Sequence, residues 1–226
     1  MKNMLLKEKE KIETWLNQYQ IKNYELIEDQ EYGYIVNVNS NVFLQFLPLK
    51  NIRVKFNIIN GDFICSFNKL ETLKGCPEIV NGDFLCRDNE LVSLKYSPKI
   101  VKGTFNCCFN KLELLEDCPH IIEGNFYCNN NKLTSLKGGP KEVYGILNCS
   151  VNLLNIEGLK YLPDNIEKNY IKIKFNHKLG LLQDIESFLM LKEKVEEILK
   201  PLYEKEKIDS KIYVQDLNKK KIMNKI

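Results

Sequence analysis

The 226-residue chain has no long apolar run: stretches such as Phe188-Leu189-Met190-Leu191 stop after a few residues, here at Lys192. A membrane-spanning helix needs about 18 or more, so that class is excluded. The N-terminus, Met1-Lys2-Asn3-Met4-Leu5-Leu6 followed by Lys/Glu alternation, lacks the apolar centre of a signal peptide, and a cytoplasmic protein is expected. Histidine is scarce, with only His120 and His177 present, and neither lies near a Ser, Cys or Asp motif; a hydrolase triad has no support. Gly-x-x-x-x-Gly-Lys-Ser/Thr and Gly-x-Gly-x-x-Gly are both missing, which argues against nucleotide binding. Charge of one sign is missing too, since 33 Lys+Arg against 30 Asp+Glu leave +3. That balance does not announce a nucleic-acid binder. Arginine is limited to Arg53 and Arg87, a bias of coding composition rather than of mechanism.

What the chain does have is a repeat. Gly61, Gly82, Gly103, Gly124 and Gly145 recur every 21 residues. Phe63, Phe84, Phe105, Phe126 and Leu147 follow two residues on, then Cys65, Cys86, Cys107, Cys128 and Cys149. Asn68, Asn89, Asn110, Asn131 and Asn152 make the next column, with Leu70, Leu91, Leu112, Leu133 and Leu154 behind them. Leu73, Leu94, Leu115 and Leu136 complete four units, each ended by Pro77, Pro98, Pro119 or Pro140.

Phe-x-Cys-x-x-Asn-x-Leu-x-x-Leu is the spacing of a leucine-rich-repeat core, in which alternate residues of a short strand point inward. The Asn amide satisfies backbone groups on the tight turn after the strand, which an apolar residue would leave unpaired. The four-residue step from Val80 to Phe84 is longer than usual, and its Gly-Asp pair is read as the turn entering the strand. The repeat resembles the short Gly-Asp-Phe-x-Cys-type leucine-rich-repeat proteins of tailed phages and bacterial mobile elements, together with the preceding Trp15–Tyr24 segment. The resemblance covers roughly residues 12 to 163 and implies a solenoid in a cytoplasmic phage or host protein.

The expected fold is therefore an α+β solenoid: a leucine-rich-repeat parallel β-sheet with an N-terminal helix and hairpin cap and a C-terminal helical segment. Residues 1–60 are assigned to the cap. Within them Leu5, Ile12, Trp15, Leu16 and Tyr19 mark one helix face, residues 24–27 and 34–38 a hairpin, and residues 40–60 a degenerate repeat with Leu47 in the Asn column. Residues 61–163 hold the repeats. Pro163 breaks the period, so the fifth repeat is expected to be the last. Residues 164–226 form a helical cap or partner-binding segment, with Leu181 to Leu202 at helical spacing and Pro201 ending it.

Five of the eight cysteines stack in one inward column, so they line up rather than converge on a metal, and no metal or cofactor is expected. Cys76 and Cys118 fill a small-residue slot before proline. Cys108 is expected to point outward and to be the one thiol open to reaction. Some bacterial effectors join such repeats to a cysteine-dependent ligase domain, but no cysteine follows Pro163.

Alternation assigns three ladders to the concave side of the solenoid: Ile64/Leu85/Asn106/Tyr127/Asn148, Ser66/Arg87/Cys108/Asn129/Ser150 and Phe67/Asp88/Phe109/Asn130/Val151. Ile64, Phe67, Leu85, Arg87, Phe109 and Tyr127 are the candidate protein-binding residues, with Arg87 and Tyr127 as anchors. The expected function is non-enzymatic protein binding. With the phage resemblance, the expected partner is a host defence nuclease that is inhibited, in the manner of anti-CRISPR proteins. The alternative is RNA or DNA binding by the Lys-rich C-terminal helices with Tyr161, Tyr170 and Tyr203 stacking, which eleven lysines against nine acids over residues 178–226 argue against.

Overall fold

A computed structural model of the chain describes residues 2–155, 157–166, 170–173 and 176. The first element is helix α1 (Lys2–Gln18), which buries Ile12, Trp15 and Leu16. It stops because Gln20 takes a left-handed φ of 55°, letting the Ile21 N–H donate to Leu16 C=O at 2.9 Å and the Gln20 N–H to Asn17 C=O at 3.0 Å. This paired closure satisfies carbonyls that the helix end leaves without partners. Strands β1 (Tyr24–Asp29) and β2 (Gly33–Val38) then form an antiparallel hairpin, whose turn is held by Asp29 Oδ1 accepting the Glu31 and Tyr32 N–H groups. No helix among the described residues is long and apolar enough to cross a membrane.

From residue 42 the chain coils as a parallel β-solenoid with a 21-residue period. The strands are β3 (Val42–Phe43), β4 (Lys55–Ile59), β5 (Phe63–Ile64), β6 (Ile79–Val80), β7 (Phe84–Leu85), β8 (Ile100–Val101) and β9 (Phe105–Asn106). They continue as β10 (Ile121–Ile122), β11 (Phe126–Tyr127), β12 (Glu142–Val143), β13 (Leu147–Asn148) and β14 (Ile171–Lys172), with a 3-10 helix at Glu157–Tyr161 before β14. Two seven-stranded sheets result. Sheet A runs β1-β2-β4-β6-β8-β10-β12 and sheet B runs β3-β5-β7-β9-β11-β13-β14. Register follows the repeat, pairing Phe63 with Phe84, Phe84 with Phe105 and Phe105 with Phe126.

The core is a stack of like on like. Phe63 meets Phe84 at 5.8 Å between ring centroids, Phe84 meets Phe105 at 5.2 Å, and Phe105 meets Phe126 at 5.8 Å. Phe56 joins below Phe63, and the Trp15 indole of α1 reaches Phe56 edge-on at 6.2 Å. Beside the rings the cysteine and leucine columns are fully buried. Each asparagine of the repeat works for two turns: Asn89 Nδ2 donates to Cys65 C=O in the turn before and to Cys86 C=O in its own, while its Oδ1 accepts the Leu70 N–H. Asn110, Asn131 and Asn152 repeat the pattern. A second polar ladder comes from the residue after several of the glycines, where Asp62 Oδ1 accepts the Asp83 N–H, Asp83 Oδ1 accepts the Thr104 N–H and Asn125 Oδ1 accepts the Ile146 N–H. The glycine column lets these backbones touch, because a Cβ on Gly124 would lie 2.6 Å from Gly103 C.

Two features differ from the sequence reading. The Ile79–Val80 segments are strands of a second sheet, so the Gly-Asp pair joins two sheets within each turn instead of merely leading into one. The fifth repeat is not the last: β14 pairs with β13, Ile173 is buried, and Asn176 donates to Cys149 C=O while accepting the Asn152 and Leu154 N–H groups. This turn is longer by three residues, 24 in place of 21, which hid it. Residues 40–60, by contrast, form a turn in register with the rest, with Val42 against Phe63 and Leu44 buried. The helix expected over residues 181–202, with Pro201, His177 and Tyr203, lies outside the described residues.

Candidate binding face

The strands of sheet B are two residues long, and the third residue after each of β3, β5, β7, β9, β11 and β13 bends the chain sharply. Phe46, Phe67, Asp88, Phe109, Asn130 and Val151 all adopt left-handed φ between 52° and 57°. Asp and Asn tolerate that region; phenylalanine and above all β-branched valine do not. The strained column is also an exposed one, with Phe46 at 68 %, Phe109 at 45 %, Val151 at 40 % and Phe67 at 39 %.

Arg87 organises the middle of this column. Phe46 and Phe67 stack at 4.5 Å and 9° between planes, the Arg87 guanidinium lies 4.8 Å from the Phe67 centroid, and its far side reaches Phe109 at 5.6 Å. Asp88 Oδ2 accepts from Arg87 Nε at 2.6 Å and fixes the fork in that gap. The result is a continuous row, Phe46–Phe67–Arg87–Phe109, one flat group per turn. The partly buried column of Ile64, Leu85 and Tyr127 runs alongside it on the same outer face, and Phe43 extends it by one turn with 54 % exposure. The structure thus brings Ile64, Phe67, Leu85, Arg87, Phe109 and Tyr127 onto one face, the outer side of sheet B.

Phe43 and Phe46 belong to the same face, although the sequence reading placed residues 40–60 in a cap. The signal was the period itself, since stepping back 21 residues from Ile64 and Phe67 lands on them.

Cys108 is not the open thiol expected: it is buried at 4 % exposure, within reach of the Arg87 and Asp88 charges of the neighbouring turn. Asn106 Oδ1 accepts the Cys108 N–H and tightens the bend. Burial pushes the Cys108 thiol up to about 11, against a lowering influence of Arg87 and a further rise from Asp88. The other cysteines are buried thiols as well, with Cys149 pushed up to about 12 by burial. Cys108 and Cys149 are therefore not reactive thiolates at neutral pH.

Elsewhere the surface is less organised. Ile100 and Ile121 are exposed on sheet A, but Glu142 follows them in the column. His120 is exposed, and Tyr161 and Tyr170 are exposed without forming a row. Among the described residues no group of three or more His, Cys, Asp or Glu side chains is placed to hold a metal ion. No protein-family model, curated protein or solved structure matches this chain.

Proposed function

We propose that the chain is a non-enzymatic protein-binding module that docks its partner on the outer face of sheet B. One observation carries this reading: phenylalanine rings occupy an exposed column whose backbone disfavours them, where Asp88 and Asn130 stand without that cost. Strain of this kind, about 1 kcal/mol or more per residue, is tolerated where side-chain identity serves contact. Aromatic groups around a single arginine form the kind of patch that anchors protein interfaces. Phosphate recognition would call for unpaired cations, whereas Arg87 is already engaged by Asp88.

The repeat is read as a variant leucine-rich-repeat turn, supported by Asn amides that bond carbonyls in adjacent turns. Eight unpaired thiols fit a reducing compartment and hence the cytoplasm. The resemblance to phage repeats supports a host defence nuclease as the partner, inhibited by docking.

The test is affinity capture from a lysate of the native host, comparing the wild type with a Phe67→Asn, Phe109→Asn, Tyr127→Asn variant. The wild type should retain one stoichiometric protein that the folded variant loses. Equal retention by both would sink the reading. Retention of nucleic acid that weakens steeply with salt would replace it with the RNA/DNA alternative.

A further inference from the structure

In sheet B a regular set of N–H groups donates from each turn to carbonyls of the next. Val42 N–H donates to Asp62 C=O at 2.8 Å, Leu44 N–H to Ile64 C=O at 2.7 Å and Phe46 N–H to Ser66 C=O at 3.2 Å. The same step recurs in each later turn, so that the carbonyls of Leu85, Asn106 and Tyr127 accept from Cys65, Cys86 and Cys107. The corresponding carbonyls of the first turn, on Asn41, Phe43 and Gln45, have no turn before them. Strand pairing sends the Phe43 N–H to that same open side, and β3 is the end of its sheet. Sheet A is closed at this end by the β1–β2 hairpin. Sheet B is not, and no lysine or proline lies within Asn41–Phe46 to blunt the edge.

Beside this edge stand Phe46 and Phe43, the two most exposed phenylalanines among the described residues. One face of the Phe46 ring is covered by Phe67, and its place at the end of the row leaves the other for an incoming group. We propose that β3 takes an extended peptide segment of the partner protein as an added strand, with an aromatic or arginine side chain of that segment laid over Phe46. The inference rests on the protein-binding reading of sheet B and names the mode of binding. Alternating free donors and acceptors select an extended backbone over a helix, whose own N–H and C=O groups are already paired. The row Phe46–Phe67–Arg87 shows which side-chain shapes the column stacks.

A displayed library of random twelve-residue peptides, selected on the full chain, supplies the probe. Selected peptides are expected to slow amide exchange at Phe43 by about tenfold or more. They should lose about tenfold in affinity when their own backbone is N-methylated, a change that leaves the protein untouched. Phe43→Pro, which removes an N–H facing the open side, should weaken them equally. Peptides that depend on Phe109 and Tyr127 but leave the Phe43 amide exchanging freely overturn strand addition and leave the face intact as a binding surface. Peptides that touch neither overturn both readings. Failure to select any peptide, Phe43 protection in the free chain, or protection that grows with protein concentration overturns the proposal, the last two by showing the edge filled by this chain or a second copy.

Discussion

The Arg87 guanidinium sits 4.8 Å from the centre of the Phe67 ring, one turn along the solenoid, and closes a row that the repeat alone would have left broken at Asp88. A planar cation stacks on a ring in a way an ammonium does not. Arg87→Ala should lower stability by about 1 kcal/mol, an amount discounted for the partial exposure of the Arg87–Asp88 pair. Arg87→Lys, which keeps the charge, should recover less than half of it. Urea denaturation of the three proteins checks this, and a lysine variant as stable as wild type would show that stacking contributes nothing.

Val151 makes the strain argument in its cleanest form. It holds φ at 53° with a β-branched side chain, is 40 % exposed, and lies one turn after Asn130, which takes the same backbone at φ 55°. Val151→Asn therefore copies a residue the repeat already uses. It should stabilise the protein by about 1 kcal/mol, the cost that a left-handed conformation imposes on an ordinary residue. A rise in the thermal midpoint is the expected readout; a fall would mean that the valine side chain makes contacts outweighing its backbone.

Asn89 should behave in the opposite sense. Its Nδ2 serves the Cys65, Cys86 and Arg87 carbonyls and its Oδ1 serves the Leu70 N–H, all within a site that is 8 % exposed. Asn89→Leu leaves those groups without partners, at about 1–3 kcal/mol for each that water cannot reach. We expect loss of 3 kcal/mol or more, about the cost of two such groups, and broken cooperativity between the turns on either side. A small loss by denaturant unfolding would mean that water replaces the amide.

The difference between what the sequence disclosed and what it hid is a matter of period and strand length. Glycine, cysteine and asparagine recur because each does one job per turn: close approach, packing, and bonding of carbonyls across turns. A fixed period therefore exposes them. The second sheet escaped notice because Ile79–Val80 and its equivalents give alternation only two residues to act on. The turn ending in Asn176 was masked by its extra residues, although Ile171-x-Ile173-x-x-Asn176 keeps the strand-to-asparagine spacing. Cys108 was read as an open thiol because alternation tells the side of a residue and not its cover, and its burial depends on neighbouring turns. The row Phe46–Phe67–Arg87–Phe109 could not be seen at all, since Arg87 and Phe67 occupy different columns and meet only through the side-chain reach of Arg87, held by Asp88.

The thiols give the fold a predictable alkaline limit. Burial holds Cys108 at about 11 and Cys149 at about 12, while an unfolded chain ionises cysteine near 8.5. Below that value both states keep their protons and the thiols impose no pH dependence. As pH rises from about 8.5 towards 11, the unfolded chain releases protons that the folded chain retains, so unfolding is favoured and stability falls. Denaturation midpoints should accordingly be flat between pH 7 and 8 and decline steadily above about 9. At pH 7.5 a thiol-specific chromogenic reagent should react with none of the eight cysteines in the native protein and with all of them in guanidinium. Cys108→Ser should leave the native reactivity at zero; rapid labelling of one thiol in the wild type that this substitution abolishes would return Cys108 to the surface and refute the buried placement.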